Sequence, residues 1–135
     1  MKATVIKPIF FVAGLYDGLL GIAFLLFPMA IFEAYNVTPP NHVGYVQFPA
    51  LLLLIFSAMF FRIASDPVRQ RELIPYGIGF KLAYSGTVFG HQLAGGVPFM
   101  WVPWAWADLV FLLLFIIAWN ETATKAKVSP RKKKR

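Results

Sequence analysis

Along the chain, apolar residues come in four long blocks, 9–32, 43–63, 73–93 and 99–119, separated by short polar stretches. A helix needs about 20 mainly apolar residues, at about 1.5 Å of rise each, to cross the hydrocarbon core of a bilayer, and every block meets that length. ALLLLIFSAMFF in the second block and DLVFLLLFIIAW in the fourth are the cleanest segments, whereas the first and third are interrupted by glycines and single charges. No block sustains ten residues of alternation, so barrel strands are disfavoured, and helices satisfy every backbone group in lipid. The pattern predicts an all-α integral membrane protein. Residues 1–120 form an antiparallel four-transmembrane-helix bundle with consecutive helices as neighbours, and 121–135 form a basic cytoplasmic tail.

Composition agrees with this reading. A chain of 135 residues is one domain by length, and 59% hydrophobic against 14% charged residues is too apolar for a soluble domain of that size. The formal charge of +7 does not point to nucleic acid, because the basic residues lie between and beyond the apolar blocks rather than over one folded surface. A cleaved signal peptide would also begin with Lys2 and Lys7 before an apolar stretch. The first block is about twice the usual apolar signal core, Asp17 interrupts it, and FPMAIFEA offers no small-residue cleavage pattern.

The lysines and arginines set the orientation. Lys2 and Lys7 precede the first block, Arg62, Arg69 and Arg71 border the second linker, and Lys125, Lys127 and RKKKR at 131–135 follow the fourth. The first and third linkers, EAYNVTPPN and AGGVP, carry none. Positive charge stays in the cytoplasm, so both termini and the second linker are expected inside and the other two linkers outside. Thr38-Pro39-Pro40-Asn41 and Gly95-Gly96 with Pro98 end helical structure in the outer loops, while Ser65-Asp66-Pro67 reads as a helix stop and capped turn before Pro75 opens the third helix. Tyr35, Tyr45, Trp101 and Trp104 fall at the outer interface, and Tyr76 and Trp119 at the inner one. The tail suits anionic lipid headgroups, at about 1 kcal/mol per basic residue near the surface. Its Lys132 and Lys133 also fit an endoplasmic-reticulum retrieval ending, a match any polylysine tail makes.

Charges inside the blocks mark the faces turned inward. Gly14, Gly18 and Gly21 share one side of the first helix, suited to close approach of another backbone, with Asp17 beside them. On the third helix Gly77, Lys81, Tyr84, Ser85, Val88, His91 and Gln92 follow helical spacing; on the fourth Trp101, Trp104 or Ala105, Asp108, Phe111 or Leu112, and Phe115 do so. Counted from the cytoplasmic ends, Asp17, Lys81 and Asp108 lie about 12, 12 and 16 Å deep, near the midplane. A charge there costs about 2.5 to 3.5 kcal/mol, and Lys81 neutralises only one acid, so the second carboxylate needs a proton, a further partner or water. Asp17, Lys81 and Asp108, with Tyr84 nearby, are therefore the candidate residues of a midplane cavity that binds a small polar ligand or relays protons. The alternative is a structural ion pair fixing helix register, with Tyr16 and Tyr84 satisfying the remaining hydrogen bonds. The second helix, without a midplane charge, is expected to face lipid or a partner.

Glu33, His42 and His91 are placed near the outer interface, where two histidines and a carboxylate could hold a metal or haem or respond to pH. Their spacing follows no metal motif, and a solvated loop histidine is the plainer reading of His42. The Trp101 to Trp106 cluster suits an interfacial belt better than a cofactor box. The absence of cysteine from the sequence excludes disulfides, thiolate zinc sites and CxxC redox chemistry within this chain.

A compact four-helix layout, YDGLLG at 16–21 in a glycine-rich first span and a tryptophan-rich fourth span resemble DoxX-like and related uncharacterised bacterial membrane proteins. The resemblance implies a multi-pass protein of the bacterial inner membrane; a eukaryotic setting would be the endoplasmic reticulum. Some DoxX-like members are associated with quinone-linked sulfur oxidation, but no catalytic residue carries over to this chain, and the lack of cysteine opposes a vitamin K epoxide reductase-like activity. The favoured expectation is a non-enzymatic accessory subunit, or a binder of a small lipophilic molecule at the charged midplane site. An oligomeric transporter or proton-coupled channel, and a membrane enzyme acting on a lipid or quinone with Asp17 or Asp108 as acid or base, are the alternatives. Partners would be the bilayer, further copies of the chain or a larger membrane complex, and no cofactor is specified.

Overall fold

The computed structural model describes residues 3–128; Lys2 and the basic stretch 129–135, including Lys132 and Lys133, lie outside the described residues. The described chain is all helical, without a strand. Its α-helices are α1 (Ala3–Leu26), α2 (Pro28–Ala34), α3 (Gly44–Ser65), α4 (Ile74–Ala94) and α5 (Val102–Val128), with short 3-10 turns at Arg71–Leu73 and Phe99–Trp101. Among the described residues three helices are long and apolar enough to cross a membrane, those within Thr4–Leu26, Gly44–Ser65 and Phe99–Lys127. The expected third block, helix α4, has the length but not the apolarity. Lys81, Ser85, Thr87, His91 and Gln92 dilute its hydrophobic residues.

The expected single helix over 9–32 begins earlier and breaks in two. Pro28 forces the break: its ring disfavours helical backbone at the residue before it, and Phe27 sits at φ −128° and ψ 41°. Proline is then well placed in the first turn of α2, where its missing N–H would have no helical partner. Asn36, in the left-handed region at φ 54°, ends α2. Val37 N–H reaches back to Phe32 O and Asn36 N–H to Glu33 O, the paired closing bonds of a Schellman turn. At the other linker, Ser65 ends α3 and Asp66 Oδ1 accepts from Arg69 N–H at 3.1 Å, the capped turn the sequence suggested.

Helices α1 and α3 form one antiparallel pair, and α4 and α5 another. The glycine face of α1 does bring another backbone close, and that helix is α3. A Cβ on Gly14, Gly18 or Gly21 would lie 2.9 Å from the Phe61 ring, 2.8 Å from Ser57 Oγ and 2.9 Å from Ala50 O respectively. Ser57 adds a hydrogen bond to Gly14 O at 2.5 Å. The second helix, α3, is the least buried of the three apolar spans, in line with the expectation that it faces lipid or a partner, while its glycine-facing side buries Ala50, Ser57, Phe60 and Ile63.

Both pairs meet at the end where α1 begins and α5 ends. There Ile6, Phe10 and Ala13 of α1, Phe60 and Ile63 of α3, Ile74 of α4, and Phe115 and Ala118 of α5 make one buried cluster. Rings fill it: Phe10 stacks on Phe115 at 4.5 Å between centroids, and Phe56 on Phe80 at 4.0 Å. Arg71 lays its guanidinium 3.3 Å from the centre of the Trp119 ring at the same end. At the opposite end Phe24, Phe32, Ala50 and Met100 form a second, smaller cluster under α2. Outward faces are apolar along three long helices, with Leu15, Leu19 and Ile22 on α1, Leu51 and Ile55 on α3, and Val110, Leu113 and Ile117 on α5 all exposed. In water such surfaces would aggregate, whereas against acyl chains they cost nothing.

Candidate functional site

Between the two clusters lies a layer of charge. Lys81, projecting from the middle of α4, places its Nζ 2.8 Å from both carboxylate oxygens of Asp17 on α1 and 2.9 Å from Oδ1 of Asp108 on α5. The three residues are 0%, 1% and 5% exposed. One ammonium with its three donors thus ties the two helix pairs together, and charge-assisted bonds of this length are the strong kind. Helical periodicity makes the meeting possible. Asp17 flanks the glycine face of α1, and Lys81 shares its line with buried Gly77, Ser85 and Val88; Asp108 shares its own with buried Ala105, Leu112 and Phe115. Aromatic rings surround the ammonium, with the centroids of Tyr16, Phe60, Phe80 and Phe111 at 5.3 to 5.5 Å.

Above this layer, on the side away from the termini, the helix pairs part around a cavity of about 560 Å³. Asp17 and Asp108 contribute to its wall and Lys81 does not, being hidden behind them. Leu20, Val46, Ala50 and Leu53 supply aliphatic surface, while Phe24, Phe32, Trp101 and Trp104 supply aromatic surface. The loop at 37–40 lines it too, and α2 contributes Phe32, so the helical break at Pro28 helps to build the chamber. A volume of this size, mainly apolar with a few convergent polar groups, is typical of small-molecule sites.

The two tyrosines are placed differently. Tyr84 lines the cavity, but its hydroxyl donates to Trp101 O at 2.9 Å, holding the 3-10 turn before α5 rather than joining the ions. The structural ion-pair alternative had Tyr16 satisfying a hydrogen bond, whereas its buried hydroxyl has no partner among the described residues. A buried polar atom without a partner costs about 1 to 3 kcal/mol.

Glu33, His42 and His91 do not assemble. All three are exposed, and among the described residues no group of three histidines or acids is arranged to hold a metal. His42 instead accepts a hydrogen bond from Gly44 N–H at Nδ1, 2.9 Å away, within its own loop. His91 and Gln92 rotate out of the buried line of α4 near its end, where Gln92 Oε1 accepts from Val97 N–H. Trp101 and Trp104 belong to the cavity wall as much as to an interfacial belt, whereas Trp106 is 57% exposed and packs edge-on against Phe89.

No family model, curated protein or solved structure matches the chain. The resemblance to DoxX-like proteins therefore rests on the sequence pattern alone.

Proposed function

We propose that this chain is a four-span membrane protein, with both termini inside the cytoplasm, that binds a small lipophilic molecule in the cavity above the Asp17–Lys81–Asp108 layer. Three spans follow from length and composition. For α4, 21 residues at about 1.5 Å each give about 30 Å, enough to cross, and its most costly group is already paired with two carboxylates. Sidedness has a simple basis. Every described lysine and arginine except Lys81 stands at the end where the termini and the α3–α4 linker gather.

The observation that carries the binding reading is the cavity itself. Close packing leaves few voids larger than a water molecule between ordinary helices, and a chamber of about 560 Å³ is far larger than that. An apolar wall and the carboxylates at the floor form an amphipathic chamber open to a molecule that partitions into lipid. Extracting the full chain in mild detergent and analysing its solvent-soluble fraction by mass spectrometry tests this. One enriched small molecule at near-equimolar amount is expected; bulk lipid alone in the extract would contradict the reading.

A further inference from the structure

Resting on that binding reading, we infer that the ligand is a lipophilic cation carrying one positive charge, such as a hydrophobic amine or an onium ion. The cavity wall contains two acidic residues, Asp17 and Asp108, and among the described residues no lysine, arginine or histidine. Lys81 supplies one positive charge from behind the wall, so with both carboxylates ionised the layer carries one negative charge in excess. The three contacts are unequally shared. Both oxygens of Asp17 are engaged, whereas Asp108 is held through Oδ1 alone.

An excess charge in an apolar interior is relieved by an opposite charge placed beside it, and Asp108 faces the chamber where that charge would sit. The remaining wall suits such a guest. Tyr16, Phe24, Phe32, Tyr84, Trp101 and Trp104 surround the space with aromatic surface, which attracts cations and apolar substituents alike. Lys81 already has this environment, with four rings within 5.5 Å of its ammonium. A ligand with a second positive charge would overshoot neutrality, and an anion would meet two carboxylates.

Tryptophan fluorescence of the full chain in an uncharged detergent provides the test, with tetraphenylphosphonium as the cation and triphenylphosphine oxide as an uncharged counterpart. The cation is expected to bind at least about tenfold more tightly. Asp108→Asn is expected to remove that preference, and Asp108→Glu to retain it. Equal or tighter binding of the neutral compound overturns the cation inference and leaves the lipophilic-binding reading standing, as does a preference that survives Asp108→Asn. Binding of neither compound, together with a protein that extracts without a ligand, overturns both. The comparison on the unaltered chain decides the matter even where Asp108→Asn does not fold.

Discussion

Lys81→Met removes the cation shared by Asp17 and Asp108 while keeping a flexible stem of similar length between the surrounding rings. Three hydrogen bonds of 2.8, 2.8 and 2.9 Å disappear, and two carboxylates, 1% and 5% exposed, are left side by side without compensation. Breaking a buried ion pair by removing one partner costs about 3 to 5 kcal/mol. At about 3 °C per kcal/mol for a chain of this size, Tm should fall by about 10 to 15 °C. The assay is loss of helical circular dichroism on heating in a mild detergent, with wild type and variant in the same micelle. A companion variant carrying Asp17→Asn, Lys81→Met and Asp108→Asn removes every charge at once and should recover most of the loss, because the penalty comes from uncompensated carboxylates. A Lys81→Met protein as stable as wild type would refute the reasoning. A triple variant as unstable as the single one would show that lysine packing among the rings, not charge, holds the layer.

Two further outcomes test the helix pairing and the orientation. Gly21→Leu forces a side chain against Ala50 O, a backbone atom that cannot turn aside. It should lower stability by about 1 to 3 kcal/mol despite the gain in helix propensity, whereas Gly86→Ala, with nothing within 4 Å, should leave Tm unchanged or raise it. Reporter domains fused after Lys127 and after Asn41 should report cytoplasm and exterior respectively; the reverse pattern would invert the assignment of the basic end.

The ionic layer was legible in the sequence because a charge within an apolar block must turn inward, and helical spacing with depth then aligned Asp17, Lys81 and Asp108. The glycine face of α1 was legible for the same reason of spacing, but not its partner. Nothing in the α3 sequence announces that Ser57 and Ala50 lie against Gly18 and Gly21. The break at Phe27 escaped a reading based on hydropathy, since FPMAIF is apolar throughout, although Pro28 was the available signal. A cavity beside the midplane charges was expected, and Asp17, Tyr84 and Asp108 do line it, but Lys81 does not and the rest of the wall could not be read. Its wall gathers Leu20 and Phe24 from α1, Phe32 from α2, the 37–40 loop, and Trp101 and Trp104 from the start of the last helical segment, and only tertiary packing brings those together. Histidine proximity along the outer interface proved a poor guide, because residues at one depth can point in different directions around the molecule.

The central claim is that a lipophilic molecule occupies the space above the ionic layer. Native mass spectrometry of the full chain, released from mild detergent beside a Leu20→Trp variant that obstructs the cavity, tests it most directly. The account predicts a one-to-one adduct on the wild-type chain that the variant lacks while remaining folded. An unadorned wild-type mass, or an adduct equally abundant on both proteins, would contradict it.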